Sequence, residues 1–130
     1  MGTRSITVVK DGSGNKIVEI YKQYDGYPES LGEDLKVFVS SGKLVNGLVA
    51  GRNWVFNGVE CFAAQLVGHL KHGEAGNVYL LAPTEDFEDK REYSKLYDAE
   101  YYYEISANLE LRCWDCWDNK EIFLNKKDEK

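Results

Sequence analysis

Apolar and polar positions alternate along two early runs of the chain, 4–9 and 16–24, which are separated by Asp11, Gly12, Ser13, Gly14 and Asn15. Glycine and asparagine accept the positive φ of tight turns, so the pair predicts a β-hairpin. In the second run Val18, Ile20 and Tyr24 share a side with Lys22, while Ile17 and Tyr21 share the other with Glu19 and Gln23. Neither side is wholly apolar, which predicts a sheet covered on one face and partly covered on the other. The period then lengthens. Leu31, Leu35, Phe38 and Val39 recur at helical spacing behind Pro28, with Glu29, Glu33 and Asp34 near the positive end and Gly42 as a stop. A second helix is patterned by Val59, Phe62, Ala63, Leu66, Val67 and Leu70, with Asn57 as the expected cap, Glu60 as its reciprocal partner and Gly73 beyond its end.

The intervening stretch, 43–58, is rich in glycine and asparagine and reads as a long, partly buried loop or an irregular hairpin. Residues 77–82 form a short apolar strand stopped by Pro83, and the charged, weakly periodic segment 85–95 reads as a mobile loop or a short surface helix. Three further strands, 99–105, 109–114 and 121–124, with turns at Ala107-Asn108 and around Asp118-Asn119, predict an antiparallel meander. The expected fold is therefore a single α+β domain over residues 1–125: an antiparallel sheet of five or six strands packed against two helices, ββααβ followed by the meander. A charged tail at 126–130 is expected to fray.

Composition narrows the function classes. A chain of 130 residues can bury a core without metal or disulfide support, and a content of 13% aromatic residues, nine of them Tyr, argues against disorder. A net charge of −6 opposes a phosphate backbone, so no generic nucleic-acid binding is expected. Three cysteines, an odd number, suit a reducing cytoplasm. No apolar run at the start suggests a secretion signal, none is long enough for a membrane, and Ile6 breaks the myristoylation pattern.

Chemical motifs are sparse. Cys113 and Cys116 have a C-x-x-C spacing, and His69 and His72 stand at i and i+3, so a Cys2His2 zinc site is one reading. A buried Cys113 beside a turn is the favoured one, and no metal or cofactor is expected. Cys61 lies in the first turn of the second helix, where the dipole favours a thiolate, with Gln65 and His69 one and two turns on. Eight residues of helix span about 12 Å, which puts His69 out of reach as a base. Enzyme chemistry at Cys61 is therefore an alternative rather than the leading reading. The nucleotide-loop, metalloprotease and esterase signatures are absent from the sequence. The carboxylates of 85–92 and 115–121 read first as solvated faces, and second as an acidic protein-interaction module or nucleic-acid mimic.

The positive signal is an aromatic corner around Asp25 and Gly26, formed by Tyr21, Tyr24 and Tyr27. Rings offer stacking faces, guanidinium groups offer forked donors to an anion, and amide or carboxylate groups read polar edges. The candidate ligand-binding set is Arg4, Tyr24, Asp25, Tyr27, Arg52, Trp54 and Gln65, with no catalytic residue. The set suits a small anionic or nucleotide-like ligand, or a protein partner, and homo-oligomer formation stays open.

The opening MGTRS, the block YKQYDGYPESLG, the Asn46-Gly47 pair and the block CFAAQLVGHLK together resemble a group of small uncharacterised phage and prokaryotic proteins, over roughly residues 1 to 82. Members typically begin Met-Gly-Thr-Arg and carry Tyr-Asp-Gly-Tyr-Pro ahead of a Cys-Leu-Ala-Ala-Gln-like helix. The resemblance implies that Arg4, Tyr24, Asp25, Gly26, Tyr27, Pro28, Cys61 and Gln65 are characteristic positions. It also implies a viral context, in which sequestering a ligand or inhibiting a host defence factor is the expected role.

Overall fold

The computed structural model describes residues 2–45 and 55–124. The centre of the expected 43–58 loop, with Arg52 and Trp54, and the expected frayed tail lie outside the described residues. Strands β1 (Ser5–Lys10) and β2 (Lys16–Lys22) make the predicted antiparallel hairpin. Its turn is tied by the Asp11 carboxylate, which accepts the Ser13 and Asn15 N–H groups at 2.9 Å each, while Gly14 takes φ 85°.

Pro28 opens one π-helical turn, Pro28–Gly32, which runs into α1 (Glu33–Ser40). Two short parallel strands, β3 (Lys43–Val45) and β4 (Val55–Asn57), form a separate ribbon ahead of α2 (Val59–Lys71). The cap of α2 is displaced from its expected place: Asn57 ends β4, and Gly58 at φ 86° and ψ 165° takes the cap position, a conformation that favours a residue without Cβ. The remaining elements are β5 (Val78–Leu81), α3 (Arg91–Tyr97) and the meander β6 (Tyr101–Ile105), β7 (Leu111–Asp115) and β8 (Lys120–Ile122).

The α+β class and the six-stranded sheet are as the pattern predicts, with strand order β5-β2-β1-β6-β7-β8. The sheet is mixed rather than wholly antiparallel, because β6 pairs parallel to β1. A parallel partner requires a crossover. The chain leaves β5 at one edge, passes over a face of the sheet through residues 82–100, and re-enters beside β1. The crossover carries the third helix, so the segment expected to be a mobile loop or surface helix is a covering layer in which Tyr93 is fully buried.

Two separate cores result. On one face α1 and α2 bury Leu35, Phe62, Ala63, Leu66 and Leu70 against Val9, Ile20, Tyr103, Ile105 and Cys113. Phe38, Phe56 and Phe62 meet there at centroid distances of 4.9 to 5.6 Å. On the other face the crossover covers Ile6, Val8, Tyr102 and Cys116 with Tyr93 and Ala99. The central strand β1 has both faces covered, which explains the mixed pattern of the hairpin.

Candidate functional site

The aromatic corner is a turn held from three sides. Asn77, at the start of β5, accepts the Tyr24 N–H on its side-chain oxygen at 2.9 Å and the Gln23 N–H on its carbonyl at 2.7 Å. Lys22 donates to the Tyr24 carbonyl at 2.8 Å, and burial lowers its pKa against the pull of Asp25 and Asp34. Gly26 is enclosed: its N–H reaches the Thr3 carbonyl at 2.9 Å, and its carbonyl accepts the buried Tyr103 hydroxyl at 2.7 Å. Burial drives the Tyr103 pKa strongly upward, which keeps that hydroxyl a donor.

Asp25 and Asn77 hold positive φ, 58° and 66°. Left-handed backbone at non-glycine residues persists where the surroundings over-determine it, and such strain clusters at ligand clamps. The turn presents Tyr24 at 48% and Tyr27 at 38% exposure with Asp25 exposed between them. Beneath it the Ser5 hydroxyl is buried with no hydrogen-bond partner among the described residues. Ser5→Ala is therefore expected to be neutral or to stabilise by up to about 1 kcal/mol, read by thermal melting, whereas a clearly lowered melting temperature would give that hydroxyl a role.

Arg4 stands between Thr3 and Ser5, which adjoin Gly26 of the turn, and Gln65 lies elsewhere. Arg4 turns toward Asp98 at the end of α3, 3.4 Å away, on the crossover face. Gln65 sits on α2, on the other face of the sheet, where its side-chain oxygen accepts the Cys61 thiol at 3.1 Å. The structure thus groups Tyr24, Asp25 and Tyr27 and separates Arg4 from Gln65. Cys61 has no histidine beside it: His69 bonds Asp34 at 2.9 Å and stacks on Phe38 at 4.6 Å, which ties α2 to α1.

The C-x-x-C pair is split by the sheet. Cys113 belongs to the helix-side core and Cys116 to the crossover-side core, and burial pushes both thiols up to about 12. Among the described residues no group of three or more His, Cys, Asp or Glu is arranged to hold a metal. The acidic runs are partly engaged in ion pairs at the surface. Asp86 pairs with Lys10 at 2.6 Å, Asp89 binds Arg91 through two bonds of 3.0 Å, and Glu121 receives Arg112 through two of 2.9 Å. Hydrogen bonding from Arg112 holds the Glu121 carboxyl below its usual range. A depressed carboxyl stabilises the fold above its ordinary value of 4.5 and loses that contribution as pH falls through the native value. Glu121→Gln is expected to remove this part of the acid-side loss in melting curves recorded from pH 7 to pH 3.

Two features carried no sequence signal as sites. A groove of about 710 Å³ runs between α1 and the β7–β8 end of the sheet, lined by Val37, Val39, Leu111, Ile122 and Phe123 with Lys36 and Arg112 at its rim. A smaller hollow of about 270 Å³ gathers Glu100, Tyr101, Asp115, Trp117 and Asp118. Both join residues distant in sequence. Among the described residues no helix is long and apolar enough to cross a membrane. Comparison of the chain with protein families, curated proteins and solved structures finds no significant match.

Proposed function

We propose that the chain is a non-catalytic binding protein whose recognition surface is the turn 24–27, with Tyr24 and Tyr27 as faces for a flat, nucleotide-like ligand and Asp25 as its polar reader. The observation that carries this reading is the turn itself, tied to Thr3, Asn77 and Tyr103 while the rings of Tyr24 and Tyr27 stay partly exposed. A ring fixed before the ligand arrives loses little freedom on binding, which is the advantage of preorganisation. Sequestration is the role such a site performs.

The test is titration calorimetry of the full chain against a panel of purine and pyrimidine nucleotides, including cyclic mono- and dinucleotides. For a ligand that binds, Tyr24→Ala and Tyr27→Ala are each expected to weaken affinity by about 1 to 3 kcal/mol, the usual worth of base–aromatic stacking, with stability changed by less than about 0.5 kcal/mol. Unchanged affinity in both variants would remove the turn as the binding surface.

A further inference from the structure

We infer that residues 83–98 form a latched strap that lifts from the sheet as its own unit, uncovering Cys116 and the aromatic row beneath while the helix-side core stays closed.

Three observations carry this. The two cores share no buried residue, so losing the crossover contacts leaves α1, α2 and their half of the core intact. Strands β1, β2 and β6 are hydrogen-bonded to one another and do not depend on the strap for their ladders. The strap is fastened both by apolar packing, with Tyr93 stacked on Tyr102 at 4.5 Å and Phe87 and Tyr97 beside them, and by polar ties to the sheet. Lys16 donates to Thr84, to the Glu85 carbonyl and to the Tyr93 hydroxyl, the buried Glu19 carboxylate accepts the Thr84 N–H, and Lys10 pairs with Asp86. At its far end Asn119 accepts the Lys90 N–H at 2.9 Å, and Lys90 lies over the rings of Tyr102 and Trp114.

Ion pairs at such an interface return much of their attraction as desolvation cost. Water entering under the strap rehydrates Lys10, Lys16 and Glu19 together, which offsets part of the cost of breaking these ties. Local opening in contiguous units is the general behaviour of such segments. Lifting exposes a row that the strand registers align across the sheet: Tyr21, Ile6, Tyr102 and Trp114.

The split cysteine pair supplies the reporter, one thiol under the strap and one under the helices. The full chain is treated with N-ethylmaleimide in 0 to about 2 M urea, below unfolding, and modification at Cys61, Cys113 and Cys116 is followed by mass spectrometry. Cys116 is expected to react about tenfold or more faster than Cys113, with a rate that rises less steeply with urea than the Cys113 rate does, because lifting the strap exposes less surface than unfolding the whole domain. Asp86→Asn, which loosens the latch at a half-exposed pair, is expected to speed Cys116 by about threefold or more. Equal Cys113 and Cys116 rates, or rates that rise in parallel with urea, would mean that only global unfolding reaches Cys116, and the strap would be refuted. An unchanged Cys116 rate in Asp86→Asn would overturn the latch.

Discussion

Lys16→Ala is expected to destabilise the fold by about 3–5 kcal/mol, the cost of leaving a buried charge without its partner, and to lower the melting temperature by about 10–20 °C. The Lys16 ammonium is only 4% exposed and has four oxygens within 3.3 Å: Glu19, Thr84, the Glu85 carbonyl and Tyr93. Glu19 is fully buried, and its remaining partner among these groups is Thr84, through the backbone N–H at 2.8 Å and the hydroxyl at 3.2 Å. Those donors cannot neutralise a carboxylate. The variant must therefore admit water or release the crossover. Lys16→Met combined with Glu19→Leu removes both charges and is expected to recover most of the loss, because the pair earns little net stability against apolar substitutes. Urea unfolding of the two variants decides the matter: a single Lys16→Ala loss below about 1 kcal/mol would show that the cluster is solvated.

Gly26→Ala is expected to cost about 2–4 kcal/mol and to abolish the binding proposed for the turn. A Cβ there would sit 2.6 Å from Ser5 Oγ, 2.7 Å from Ser5 Cβ and 2.8 Å from the Thr3 carbonyl. The Thr3 oxygen is backbone of the segment entering β1 and cannot rotate away, so the turn must lift. Lifting strains or breaks both the Gly26–Thr3 bond and the Tyr103–Gly26 bond. The rings of Tyr24 and Tyr27 would then lose their fixed spacing. Tyr103→Phe is the milder control: it removes one buried hydrogen bond without adding volume, so it should cost about 1–2 kcal/mol. Calorimetric affinity together with melting temperature distinguishes the outcomes, and a Gly26→Ala protein with unaltered affinity would show that the geometry of the turn is irrelevant to binding.

The hairpin, α2 and the meander were legible because their signals are local. Asp11 to Asn15 encodes its own turn, Phe62, Ala63, Leu66 and Leu70 encode one helical face, and Ser106 holds the turn between β6 and β7 by accepting the Asn108 and Glu110 N–H groups at 3.2 Å. The corner at Tyr24, Asp25 and Tyr27 was legible for the same reason, since Asp-Gly between aromatics marks a turn that displays rings. The cap of α2 was misplaced by one residue because Asn57 is a favourable cap locally, yet pairing of β4 with β3 claims it.

What only the tertiary structure decided are relations between distant residues. Lys16 and Tyr93 are 77 positions apart, and nothing in either neighbourhood announces the other. The parallel pairing of β1 with β6 turned a charged, weakly periodic segment into a covering layer, because a crossover has to pass over one face of the sheet. That same sheet separates Arg4 from Gln65 and Cys113 from Cys116. Periodicity and turn chemistry settle which way a residue faces within its own element, but which partner fills the facing space is settled by long-range burial, to which a residue contributes only after the chain has closed upon itself.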